Sequence, residues 1–439
     1  MRFFFKVIVV FLIVFNWRVP YTYNTVFISV GILTFYYVFY RKTIPLSFFF
    51  QRYIATILIA TVGVSFVVYG VTVLFNTLIM NGIQLRLGVM FMMLIAMAYA
   101  VPFLVEDKES SAFEEVSLVI CYTFALQGLI HFTGYLVPPV GDILFKMQPE
   151  ALQQRVMGAN ATLEKFRLYA LSGSIFFELP AAYGLACILY FRLLLKDKNF
   201  FLASWHSYVI IILLIAGISL TGRTGFVGFF AGFFLWVIGS FNKISAFLGR
   251  YIWQIIASGV ALVLSFNFLL NSRQQQMLRN DVFPFAFEAF YNWQETGKLR
   301  TRSTDTNLSE VFYYPLRDET LLHGHGVDMG EVASVGYRTT DAGYMKTLLF
   351  GGVPFLLFMI YYISLYVNRP LSISNRGGTK EDRLDFYCFL ILFFYVLALH
   401  IKEGHVGLIH IVQTLLLLTG SAYVVRYYSD EEETNEQDG

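Results

Sequence analysis

The stretch Ser219-Leu220-Thr221-Gly222-Arg223-Thr224-Gly225-Phe226 decides how the chain is read. It joins two strongly apolar runs, Tyr208 to Leu220 and Phe226 to Phe241. Such runs read as membrane helices, and an arginine at their junction is costly unless it reaches headgroups or has a task. Gly222 and Gly225 bracket it, so the backbone can turn tightly and approach a ligand. Thr224 and Gly225 open the second helix, where N–H groups and the dipole favour an anion. Arg223 adds a planar, permanently charged fork suited to phosphate oxygens. Two readings follow: a phosphate clamp at a membrane surface, or a plain helical hairpin whose Arg223 snorkels to the interface.

Composition supports the membrane setting. Of 439 residues, 57% are hydrophobic, 18% aromatic and only 14% charged, which excludes an ordinary soluble domain. The net charge of +2 gives no footprint for nucleic acid. Cys121, Cys187 and Cys388 each fall inside an apolar run, as packing residues do, and outline no disulfide or metal framework. The start, Met1-Arg2-Phe3 onward, reads as a first helix rather than a removed signal, because no small-residue cleavage site follows it.

Hydropathy predicts an all-α, polytopic membrane protein with about twelve spans, taking roughly twenty apolar residues per crossing. They fall near 3–19, 22–40, 52–75, 85–105, 116–137, 172–195, 205–221, 225–241, 251–270, 343–366, 385–401 and 406–426. One set of ends carries most of the Lys and Arg, including Arg41, Lys42, Lys108, Lys196, Lys243, Arg250 and Arg383. The positive-inside rule places those ends, and both termini, in the cytoplasm. Residues 1–439 then form a single membrane domain with a shorter outer loop at 138–171, a large one at 271–342, and an acidic cytoplasmic tail at 427–439. The large loop, of about seventy residues, is too long for a passive connector. Its Phe283, Phe285, Phe287, Phe290, Tyr291 and Trp293 suit either the headgroup layer or a loop packed on itself.

Four groups at outer ends of spans carry chemistry. Arg223 is the first. In the second, Arg167 precedes a span that contains Glu178 and Pro180, and a carboxylate there needs a partner or water. The third is His323-Gly324-His325-Gly326-Val327-Asp328, followed by Arg338 and by Asp341-Ala342-Gly343-Tyr344. His323 or His325 titrates near neutrality and can take a proton from a sugar hydroxyl, with flanking glycines that let the loop dip towards a substrate. Two histidines fall short of the three or four ligands a zinc site wants, so no metal is expected. The fourth is His400-Ile401-Lys402-Glu403-Gly404-His405, which reads either as a ligand-facing turn or as an interfacial turn with a Lys402–Glu403 pair. With no phosphate-binding glycine loop before a lysine and no carboxylate cluster for magnesium, an anionic substrate would be met by arginines.

These residues resemble the O-antigen polymerase and O-antigen ligase superfamily of bacterial envelope glycosyltransferases. The resemblance rests on the many spans with one large late outer loop, and on short motifs. These are Thr221-Gly222-Arg223-Thr224-Gly225, Arg167 through Gly173 to Glu178 and Pro180, Asp341-Ala342-Gly343-Tyr344 with Gly351-Gly352, and Lys402-Glu403. It implies inverting transfer of a glycan from undecaprenyl pyrophosphate, without metal or cofactor, on the periplasmic face of the inner membrane. Donor and acceptor would both be undecaprenyl-pyrophosphate-linked oligosaccharides, with a chain-length regulator protein as a possible partner. Arg223, Arg167, Arg338 and Lys402 would bind pyrophosphate, His323, His325 or Asp341 would act as base, and Glu178 and Tyr344 would bind or orient sugar. Where ligases carry a histidine before the glycine that follows the late loop, this chain has Thr340-Asp341, so the polymerase branch is favoured. The rivals are a ligase acting on lipid A core, a flippase or other transporter of lipid-linked oligosaccharide, and a non-enzymatic scaffold.

Overall fold

Glycine decides how closely two of the helices approach. Glu178–Lys196 and Thr224–Ser240 pack so tightly that a Cβ on Gly228 would lie 2.4 Å from the carbonyl carbon of Gly184. A Cβ on Gly232 would meet Ile188 Cα at 2.8 Å, and one on Gly225 would meet the Pro180 carbonyl oxygen at 2.5 Å. Both partner positions advance together along the chain, so the two helices run parallel. Trp205–Thr221 runs antiparallel to them. Its Gly217 admits the Tyr183 ring near one end, and its Ser207 carbonyl accepts from Tyr190 Oη at 3.0 Å near the other.

A computed structural model describes residues 2–17, 24–41, 55–57, 59–60, 62–63, 66–67, 70, 96, 99–105, 112–148, 153–154, 166–172, 177–196, 205–240, 270–298, 301, 312–326, 336–338, 340–374, 380–402 and 410–421. Among these residues the fold is helical throughout, with no strand. Among the described residues three helices are long and apolar enough to cross a membrane: Phe113–Leu136, Glu178–Leu195 and Gly343–Val367. Shorter apolar helices are Thr25–Arg41, Trp205–Thr221, Thr224–Ser240 and His410–Ser421. The expected span at 251–269, most of those at 52–75 and 85–105, and the tail at 427–439 lie outside the described residues.

The chain divides into two compact units. Unit 2 takes in 121–300 and unit 1 most of the rest, with the division inside the Ala112–Leu136 helix. In unit 2 the later part of that helix joins the three already described. Its Phe124 packs edge-on to Tyr183 at 5.3 Å, and Gly128 lies under the Leu213 carbonyl oxygen. At one end of this bundle the short helices Pro138–Lys146, Ser272–Met277 and Glu288–Thr296 gather. Gln274 closes a capping box with Asn271 and its Nε2 donates to the Leu136 carbonyl at 2.5 Å, which stops the long helix.

In unit 1 the buried Lys6 donates to the Leu104 carbonyl at 2.8 Å and pairs with Glu115. Phe113 lies 5.0 Å from Phe389, and Thr419 Oγ1 reaches the Tyr366 carbonyl at 2.5 Å. The span expected at 343–366 is interrupted. Within Gly343–Ser374, Gly351 (φ −142°, ψ 18°) and Gly352 (φ 69°, ψ −167°) leave the helical range, and the second conformation favours glycine.

Gly228→Ala is expected to destabilise unit 2 by about 1–3 kcal/mol, since a Cβ there meets backbone rather than a movable side chain. Gly31→Ala, where a Cβ has nothing within 4 Å, should leave the thermal midpoint in detergent unchanged or raised. Equal midpoints for the two variants would refute the tight crossing.

Candidate functional site

The sequence-predicted residues fall into two separate groups, one in each unit. In unit 2, Arg167 and Arg223 come together. Arg167 stands on the 3-10 turn Phe166–Tyr169, which is held from two sides. The Tyr169 ring fills the space over Gly134 and Gly141, and Gln148 Nε2 donates to the Ala170 carbonyl at 2.6 Å. Arg167 Nε then donates to the Thr221 carbonyl at 2.8 Å, a cation placed where a helix C-terminus presents unsatisfied carbonyls. Arg223 follows two residues later, after Gly222 N closes on the Ile218 carbonyl at 2.8 Å.

Both guanidinium groups lie against one ring. Arg167 Cζ is 5.5 Å and Arg223 Cζ 4.9 Å from the centroid of Phe285, within cation–π range. Arg223 also pairs with the Glu288 carboxylate. Partial burial pulls the Arg223 pKa down from its ordinary value, which its high starting point tolerates without loss of charge at neutral pH. Glu178 is buried in the first turn of its helix, where the dipole favours a carboxylate.

The helix N-terminus after Arg223 differs from expectation. Phe226 N donates back to the Arg223 carbonyl at 3.0 Å, and Gly225 N more weakly to Gly222 at 3.5 Å. Gly225 is spent on close packing under Pro180. These two backbone donors are thus engaged within the turn, while the arginine side chains lie beside it. Phe285 and Glu288 carried no signal as arginine partners, because their contacts span more than sixty positions in sequence.

In unit 1 the late-loop and last-turn groups come together. The short helix Asp318–His323 ends at Gly324 (φ 67°), whose absent Cβ would lie 2.4 Å from Gly351 N. Breaking the long helix at Gly351–Gly352 frees the carbonyls before it. His325 N and Gly326 N take those of Leu349 and Phe350, each at 2.8 Å. Gly324 and Gly326 seat the loop on the helix break.

The two histidines end up in different states. His325 Nε2 lies 2.8 Å from Thr320 Oγ1, which lies 2.7 Å from Tyr337 Oη. Burial, then the charges of His323 and Arg317, lower its pKa despite Glu319. His323 is exposed, and its Nδ1 is 2.8 Å from the Gly324 carbonyl. A carbonyl only accepts, so the neutral ring carries its proton on Nδ1 and its lone pair on Nε2.

Tyr344 lies edge-on to the buried His400 at 4.5 Å and its hydroxyl donates to the Leu397 carbonyl at 2.9 Å, so both ring and donor are engaged within the fold. Thr347 Oγ1 is 3.1 Å from His400 Nε2, and Tyr313 Oη reaches the Ile401 carbonyl at 3.1 Å. Arg338 and Asp341 are exposed and Lys402 is half-buried. The partner expected for Lys402, Glu403, lies outside the described residues, as does Asp328. Among the described residues no three His, Cys, Asp or Glu side chains gather as metal ligands would.

Comparison with family models, with curated proteins and with solved structures gives no match.

His325 has a folded pKa below its unfolded value near 6.5, so it favours the folded state fully above that pH and loses this contribution as pH falls through the folded value. Hydrogen-exchange protection factors over 318–326, taken relative to the intrinsic rate at each pH, should fall between pH 7.5 and pH 5.5, and the change should shrink in His325→Asn. A pH response that His325→Asn leaves intact would remove this assignment.

Proposed function

We propose that the chain is a polymerase of O-antigen or capsular repeat units, acting on undecaprenyl-pyrophosphate-linked oligosaccharides at the periplasmic face of the bacterial inner membrane. The observation that carries the reading is the pair Arg167 and Arg223, held around Phe285 at one end of an apolar helical bundle. Two fixed guanidinium groups beside lipid-facing helices suit a ligand that is both doubly anionic and membrane-borne. The proposal takes the chain as crossing the membrane about twelve times, with cytoplasmic termini.

In the proposed reaction a sugar hydroxyl of the acceptor attacks the anomeric carbon at the reducing end of the donor glycan. The new glycosidic bond forms as the bond from that carbon to the pyrophosphate oxygen breaks, with inversion. Undecaprenyl pyrophosphate leaves as the anion, and the hydroxyl proton goes to a base. Arg223 and Arg167 hold the leaving group and stabilise its charge before the reaction begins, so little reorganisation is needed.

A clean deletion in the native host, analysed by silver-stained lipopolysaccharide gel, tests the reading. Lipid A core carrying one repeat is the expected product. Bare core would point to the ligase or a transporter, and an unchanged ladder would exclude O-antigen as the product. In complementation, Arg223→Ala should lower polymer yield by about 10²–10³-fold at equal protein level, and Arg223→Lys should restore part of it. Full-length polymer from Arg223→Ala would end the clamp proposal.

A further inference from the structure

We propose that the Glu288–Thr296 helix of unit 2 lies flat on the membrane, with its aromatic side in the headgroup–acyl boundary of the bilayer that the chain itself crosses. The proposal rests on the membrane setting taken above and not on the reaction.

None of the nine residues of this helix is buried. Phe287, Phe290, Tyr291 and Trp293 are 42%, 49%, 43% and 50% exposed. At about 100° per residue these four fall on one side, with the exposed Gln294 among them, and Glu288, Asn292, Glu295 and Thr296 fall on the other. The orientation is fixed from the polar side, since Glu288 is the carboxylate that holds Arg223. That contact turns the polar edge to the end of the bundle and the rings outward. A loop packed on itself would have buried those rings.

The aromatic side is continuous with a second exposed face. Phe287 is 5.9 Å from Phe226, which is 6.5 Å from Phe230. Phe230 and Phe234 of the 224–240 helix are 62% and 61% exposed, on the side away from its buried glycines. A patch of this extent is costly in water and marks an interaction surface. Tyrosine and tryptophan beside phenylalanine match the depth where hydrocarbon gives way to headgroups. The helix carries two glutamates and no lysine or arginine, so insertion of rings, not attraction to anionic lipid, supplies the binding. The consequence is positional: Phe285 and Glu288 belong to the same segment, so its depth sets the depth of Arg223 and Arg167.

The test uses the full-length protein in phosphatidylcholine nanodiscs. The three native cysteines are buried, so an environment-sensitive thiol dye reports on single introduced cysteines. Phe290→Cys, Tyr291→Cys and Trp293→Cys are compared with Asn292→Cys and Thr296→Cys. Lipids spin-labelled at acyl carbon 5 should quench dye at the first three roughly twofold more than at the last two. Replacing a third of the lipid by phosphatidylglycerol should not alter that pattern. Equal quenching at all five positions would overturn the proposal, as would self-crosslinking of Tyr291→Cys that abolishes quenching, which would assign the surface to a second copy. Phe287→Cys replaces any of the three that fails to give monodisperse protein. Because the readout needs no glycan, a failed lipopolysaccharide assay and a failed quenching assay are distinguishable.

Discussion

The contact between Gly228 and Gly184 is the constraint on which unit 2 depends. Two helices approach this closely only where neither presents a side chain, and van der Waals contact between the backbones then holds them. Removing both side chains at one crossing lets the backbones touch, and Gly232 and Gly225 extend the same seam. Because these helices run parallel, their N-termini arrive at the same end of the bundle. That end is where Pro180 meets Gly222, and where Arg223 leaves the turn between its two helices.

Unit 1 has its own version of a backbone constraint. A helix that breaks at Gly351–Gly352 must satisfy carbonyls that have lost their partners, and an unsatisfied buried carbonyl costs about 1–3 kcal/mol. The main chain of His325 and Gly326 meets that demand. The histidine sequence therefore does two jobs. His325 is drawn into the loop's internal hydrogen bonds through Thr320 and Tyr337, and His323, one turn further out, keeps an exposed ring. Local backbone accounting thus gives two neighbouring histidines different surroundings.

Charge is handled differently at the two places. Arg223 is half-buried and has both a carboxylate and an aromatic face for company, which offsets the cost of withdrawing it from water. Arg338 and Asp341 stay exposed and carry no such cost. Phe285 and Glu288 together fix the orientation of the Arg223 guanidinium.

Hydropathy and the Arg223 turn determined the helical class and the boundaries of the helices around that turn, and singled out Arg167 and Arg223, which the fold brings to one ring. These are local properties: apolar runs, a glycine-bracketed arginine and an arginine just before a span can be read without knowing what lies nearby. Tertiary structure alone decided that Glu288 and Phe285 are their partners, that Gly225 packs rather than binds, and that Tyr344 braces His400. It also decided that Gly351–Gly352 interrupts a run that hydropathy treats as unbroken. Each of these depends on which distant segment comes to lie alongside. A glycine serves equally as a turn, a ligand approach or a packing face until the opposing backbone is in place, and a charge has no partner until the chain has folded back on it.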